Sequence, residues 1–348
     1  MKMNTKRISN PLSLFNPFRL LKIKDLILNK LDKLDYIIWM IEQQNDEFFS
    51  ELFGSVKFIL GETRSVSIHE MVNWYQNVSN YLVQELNELN FSDKSVIKPL
   101  SAINKKDKYS LTILTSLYKG GRYIKPFMEN ITNQTVFSDC ELIIVDANSS
   151  ENEFEIIEKY TEYYQNIRYI RLDQRIGIYD AWNLAIKESN SDYITNANLD
   201  DLHRSDAFEL KIKALIENPE VDVVYSDVFY SFIENLPFNI IAKGGFRTNY
   251  PELADKRTLL QYNYPHNSPM WRRSLHDNIG LFNAKYKSAG DHEFWLRAAF
   301  AGYSFYKIED VVTSYYHNPQ GISTNIESKG LSEGQEIVKT FQAQADQT

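Results

Sequence analysis

The residues best placed to do chemistry stand in one stretch, Asp192 to Arg204, which reads Asp-Tyr-Ile-Thr-Asn-Ala-Asn-Leu-Asp-Asp-Leu-His-Arg. A strand-like run, Tyr193 to Ala197, leads into two adjacent carboxylates, Asp200 and Asp201. In an open α/β sheet, ligands gather at the carboxyl ends of the strands, so acids there face a crevice. Side by side the two charges repel, and a divalent cation relieves the repulsion. Oxygen ligands of this kind suit Mg²⁺ or Mn²⁺, whose shells are completed by water and substrate phosphates. The alternative is a solvated Asp-Asp turn capping the next helix. On this stretch alone both stay open.

The elements that must position the pair begin near Leu111, where short apolar runs alternate with helical stretches, the mark of a mainly parallel α/β sheet. Strands are expected at Leu111–Thr115, Glu141–Val145, Arg168–Leu172, Tyr193–Ala197 and Val221–Tyr225, with helices near Tyr123–Thr132, Glu153–Tyr164 and Tyr179–Ser189. Three strands therefore end in polar residues that can share one crevice: Thr115-Ser116, Asp146 and Asp200-Asp201. Further along, Asp291 opens a helical pattern carried by Phe294, Arg297, Ala298 and Ala301. An Asp there is a plausible N-cap in any protein.

Several pieces follow one another in order: Ile113 to Lys119, Asn133 to Thr135, Glu141 to Ser149, Gly177 to Ile186, Tyr193 to Asp201 and Ala289 to Arg297. The ordered set resembles the family 2 glycosyltransferases, over roughly Lys108 to Ser323. The resemblance implies a GT-A fold, with a Rossmann-like, mainly parallel central sheet and flanking helices, and an inverting, metal-dependent transfer from a nucleotide-sugar donor. Carried over by position, Thr115 and Ser116 line the nucleoside pocket, Asp146 sits near the base, and Arg175 and Gly177 line the donor side. Asp200 and Asp201 become the metal acids, Asp201 as the direct ligand and Asp200 as a ligand or ribose contact. His317 resembles a C-terminal histidine that reaches metal or diphosphate in such enzymes; the alternative is an ordinary loop histidine. Asp291 aligns with the family's catalytic acid-or-base aspartate, with Glu293 in reserve on the acceptor side. Trp271 and Arg272 fall in the segment that shapes the acceptor floor, though Trp271 suits a hydrophobic core equally well.

The chain departs from the family pattern at Ala147, where many relatives carry an acid that bonds uracil, and this puts a UDP donor in doubt. Asn198 and Gly290 also replace common acids.

The first 91 residues read as a helical region. Leu20, Ile27, Leu34, Ile41 and Phe48 repeat in strict sevens, and Leu31, Ile38 and Leu52 form a second row, which suits a coiled coil or packing on the chain's own catalytic domain. Arg19, Lys22, Lys24, Lys30 and Lys33 add a membrane-surface alternative. Residues 92–108 read as a linker, 109–330 as the catalytic domain and 331–348 as a tail.

Among 348 residues with a formal net charge of −8, wholesale attraction to nucleic acid is not expected. A single cysteine, Cys140, excludes an internal disulfide framework. With no apolar run long enough to cross a bilayer and no secretory leader, the expected location is cytoplasmic, or peripheral at the inner face of the membrane. Carbohydrate, lipid-linked and protein acceptors stay open, as does a homodimer through the N-terminal helix. Two other readings compete. One is a catalytically silent relative serving as a scaffold. The other is a nucleotidyltransferase, for which Lys119-Gly120-Gly121-Arg122 makes a poor phosphate loop.

Overall fold

In a computed structural model, residues 102–345 are described apart from 232–233, 245, 268, 319–320 and 324–327. The expected N-terminal helices, with their coiled-coil and membrane-surface alternatives, lie outside the described residues.

The first part of the sheet is parallel. Strands β1 (Leu111–Leu117), β2 (Cys140–Asp146), β3 (Ile167–Arg171) and β4 (Tyr193–Asn196) are joined by helices α1 (Ile124–Thr132), α2 (Phe154–Thr161) and α3 (Ile178–Glu188). Then come β5 (Leu202–His203), α4 (Ala207–Glu217), β6 (Val223–Ser231), α5 (Phe238–Gly244), β7 (Phe246–Arg247) and α6 (Lys256–Leu259). The chain finishes with β8 (Met270–Arg272), α7 (Ser274–Ile279), α8 (Gly290–Phe300), β9 (Phe305–Tyr316) and α9 (Gly330–Ala345). The strand order is β3-β2-β1-β4-β8-β6-β9-β5, with β7 on β6. Strand β8 runs antiparallel between β4 and β6, while β6 and β9 are parallel. The α/β sheet expected from the sequence is therefore observed, parallel through its first four strands and mixed beyond them.

Buried strands covered on both faces carry apolar residues on both sides, and β1 and β2 do so. Their side chains alternate between two cores. Leu111, Ile113 and Leu117 pack with Ile124, Phe127, Met128 and Ile131 of α1. Leu114, Ile143 and Val145 face the other way, toward Trp182 of α3 and Phe294 and Trp295 of α8. Both helices bury residues spaced by threes and fours, the period that sets an apolar stripe against a sheet.

The segment expected to be a tail is mostly helix α9. Its Ile337 and Phe341 are buried in the second core, and Phe341 meets Phe300 of α8 at 5.2 Å. Among the described residues no helix is long and apolar enough to cross a membrane.

Candidate active site

Strand β4 ends in the acidic pair, and the two carboxylates have different surroundings. Asp201 is buried; it accepts the backbone N–H of Tyr316 (3.1 Å) and the Asn198 side-chain amide (3.0 Å). Asp200 is half-buried, and Asn318 donates to it at 3.4 Å. Burial raises the pKa of both, and the neighbouring Asp200 charge raises Asp201 further. The end of β9 thus closes on the end of β4. Gly120, past β1, packs closely on the residue before the pair: a Cβ there would meet the Leu199 side chain at 2.5 Å.

His317 follows β9, its backbone N–H donated to Ser231 (2.8 Å). Burial lowers its imidazole to about 4, so the ring is neutral at pH 7, the form that can ligate a cation. Among the described residues no three His, Cys, Asp or Glu side chains form a group able to hold a metal unaided. The donor set fits an ion of the Mg²⁺ or Mn²⁺ type, which takes one or two protein carboxylates and completes its shell from substrate and water. Of the two carboxylates Asp200 is the more accessible, while Asp201, expected as the direct ligand, is buried and bonded to the Tyr316 N–H and the Asn198 amide.

Asp291 lies in the first turn of α8, at the same edge of the sheet. Tyr179, in the first turn of α3, reaches Asp291 Oδ1 with its hydroxyl at 2.9 Å, and Asn263 donates to Oδ2 at 2.7 Å. Burial raises the Asp291 carboxyl above the ordinary range, while the Asn263 and Tyr179 hydrogen bonds and His292 act the other way. Gly290 makes the Tyr179 contact feasible, since a Cβ there would lie 2.7 Å from the tyrosine ring. A glutamate at this position, frequent in relatives, could not coexist with that ring. Aromatic rings link Asn263 to the acidic pair: Tyr262 meets His266 at 6.0 Å, and His266 meets Tyr315 at 5.5 Å. Tyr315 immediately precedes the residue whose N–H holds Asp201.

Other expected site residues are differently employed. Asp146 is buried, accepting the Ser149 N–H (2.7 Å), the Tyr169 hydroxyl and Arg171 (2.6 Å). Thr115 shares the face of Ile113 and Leu117, so its hydroxyl is buried, without a hydrogen-bond partner, rather than open to a pocket. Ser116 is half-buried. Arg175 is exposed and stacks 4.2 Å over Tyr118, just past β1, and Gly177 is the N-cap of α3.

On the acceptor side three expectations are corrected. Trp271 is wholly buried, edge-on to Trp295 at 5.4 Å, with its indole N–H donated to His276 (2.9 Å). It offers no face to a sugar. Arg272 donates to the backbone carbonyls of Val221, Leu215 and Asn218, which removes it from phosphate binding. Glu293 is clamped by Arg297 at 2.9 and 3.1 Å. Sequence reasoning missed Tyr179, Asn263 and Asn318. Tyr179 sits within the Gly177 to Ile186 motif, but nothing local marks the other two.

An α/β sheet with flanking helices and acids gathered at its carboxyl edge is the architecture of the GT-A fold. Residues 112–279 match the model described as glycosyl transferase family 2. The chain is 22% identical over 220 residues to a glycosyltransferase of Methanocaldococcus jannaschii, covering 61% of this chain and 72% of that one. It is 26% identical over 203 residues to a PGL/p-HBAD biosynthesis glycosyltransferase of Mycobacterium bovis, covering 58% and 74%. Among solved structures, S. aureus TarS 1-349 in complex with UDP-GlcNAc superposes with a TM-score of 0.54 at 17% identity. That match covers 67% of this chain and 66% of that one, just under two thirds of its length. The domain is a glycosyltransferase of family 2. Asp291 lies beyond the matched residues.

Proposed function

We propose that the domain transfers a sugar from a nucleotide-sugar donor to a hydroxyl acceptor, with inversion and with help from a divalent cation. The observation that carries this reading is the half-buried Asp200 carboxylate at the end of β4, paired with a separately mounted Asp291 at the start of α8. Asp200, with the neutral His317 just past β9 as a second ligand, would hold Mg²⁺ or Mn²⁺. When bound, the ion stabilises negative charge on the departing diphosphate. Asp201 keeps β9 against this edge. Asp291 takes the acceptor hydroxyl's proton as that oxygen attacks the anomeric carbon, and Asn263 and Tyr179 orient it. Tyr262, Tyr264 and Tyr315 are half-buried and offer ring surface to sugars.

The nucleotidyltransferase alternative loses ground. The N–H groups of Lys119, Gly120 and Gly121 are already bonded to Ser149, Glu153 and Glu151, leaving no amide cradle for a triphosphate. The donor base is read without an acid at Ala147 and with Asp146 already engaged. Relatives in M. bovis and in hyaluronan synthesis by Pasteurella multocida support a role in surface-glycan assembly. A cytoplasmic setting, where nucleotide sugars are made, suits the reading.

A thermal-shift screen of UDP-, GDP- and dTDP-sugars with Mn²⁺ tests it. Saturation near a hundred times Kd should stabilise the protein by about 2.7 kcal/mol. Asp200→Ala should remove the metal-dependent part of that shift. Absence of a shift with every donor would leave only the scaffold reading.

A further inference from the structure

The loop that enters α8 is held from outside the catalytic sheet. Glu333, near the start of α9, accepts backbone N–H groups from three consecutive residues: Lys287 (2.9 and 3.0 Å), Ser288 (2.9 Å) and Ala289 (3.1 Å). Helix α8 has no side-chain cap of its own, because its N-cap is alanine. The Glu333 carboxylate instead fixes, from another helix, the three residues that lead into α8. Its own helix is anchored by buried Ile337 and Phe341 and by the Lys285–Glu336 pair at 3.2 Å. Gly330 keeps that helix close, since a Cβ there would lie 2.7 Å from the Ser288 hydroxyl.

The contact to Ala289 matters most. The described peptide bonds are trans, so the Ala289 N–H and the Ser288 C=O of one peptide plane point in opposite directions. With that N–H turned to Glu333, the Ser288 carbonyl faces Tyr179. The Tyr179 hydroxyl oxygen lies 2.7 Å from Ser288 O and 2.9 Å from Asp291 Oδ1. One hydroxyl proton cannot serve both acceptors fully. While Asp291 is ionised, the Tyr179 proton serves Oδ1. Once Asp291 has taken a proton, its O–H can point to the Tyr179 oxygen, and the tyrosine proton turns to Ser288 O. In the protonated state the tyrosine proton keeps an acceptor only while the Ser288 carbonyl stays in place.

We infer that Glu333 is a positioning residue for Asp291, acting through the Ser288–Ala289 peptide and the Tyr179 hydroxyl so that the carboxylate can accept and release a proton without losing its partners. The inference rests on Asp291 being the base. It makes α9, distant in sequence from every motif of the domain, part of the apparatus for proton transfer.

The test measures kcat and donor KM on the full chain, with whichever UDP-, GDP- or dTDP-sugar gives the largest thermal shift. Glu333→Ala should lower kcat about 10- to 100-fold, the scale on which a displaced catalytic group loses rate, with KM changed by less than about threefold. Glu333→Gln keeps an acceptor oxygen and should restore most of that loss. In the Glu333→Ala/Asp291→Asn double variant the two losses should not add, because both act at one group. Tyr179→Phe, which keeps the ring against Gly290 and removes only the hydroxyl, should reproduce the kcat loss even if Glu333→Ala does not fold. Unchanged kcat in Tyr179→Phe, or full additivity in the double variant, would overturn the inference and leave Asp291 as base. Wild-type turnover in Asp291→Asn would instead remove the base, and this inference with it.

Discussion

The acidic pair at the end of β4 and the lone acid on α8 are built on opposite plans. Asp200 and Asp201 are consecutive in sequence; Asp201 is tied to main chain, the Tyr316 N–H of β9, and each acid also accepts one side-chain amide, from Asn318 or Asn198. Asp291 is held by side chains from segments far apart, Tyr179 on α3 and Asn263 before β8, with Glu333 of α9 fixing the loop behind it. A site hung on strand backbone survives much sequence change, because any residue but proline supplies an N–H. A site held by distant side chains can be disturbed from far away.

The contrast can be broken at several points. The largest effect should come from Asp291→Asn, which keeps the shape and the Asn263 side but removes the proton acceptor. A fall in kcat of about 10²- to 10⁴-fold is expected, with the donor-induced thermal shift retained. Joint loss of binding and turnover would instead make Asp291 a structural residue. Gly290→Ala should act next. Its methyl would press into the Tyr179 ring, costing about 1–3 kcal/mol of stability as overpacking does. Turnover should fall with it, because the ring carries the Asp291 contact.

The smallest effect is one of stability and concerns the strand-mounted pair. Burial raises the folded-state pKa of Asp201 above its unfolded value, so the protonated form is favoured in the native state. That contribution is fully present below the unfolded pKa of about 4 and is lost as pH rises through the folded value. Above that folded value the ionised carboxylate therefore strains the ligand-free protein. Asp201→Asn can still accept the Tyr316 N–H, and Asn198 can turn its amide. The variant should melt about 2–4 °C higher at pH 7.5, a gain that shrinks as the pH approaches 4. A lower melting temperature at both pH values would show that the charge itself holds β9 in place.

How much of this was legible in the sequence follows the same division. The central strands could be read because sheet burial on both faces leaves continuous apolar runs, and the acidic pair could be read because it ends one of them. Strand β9 escaped because Lys307, Glu309 and Asp310 interrupt its pattern where part of it is exposed. Helix α9 escaped because a mostly polar helix buries little more than Ile337 and Phe341. Trp271 shows the limit of motif reasoning. Position placed it near an acceptor floor, but only long-range packing on Trp295 and Phe282 decides that it is core. The partners of Asp291 were invisible for the same reason, since no local spacing connects residues 179, 263 and 333.

The most direct measurement is the anomeric configuration of the product, read by proton NMR as it forms from an α-linked nucleotide sugar. A single displacement, with Asp291 deprotonating the acceptor on the face opposite the diphosphate, predicts a β-linked product. An α-linked product would mean that the sugar passed through retention of configuration, and the division of labour between the β4 edge and α8 would be contradicted.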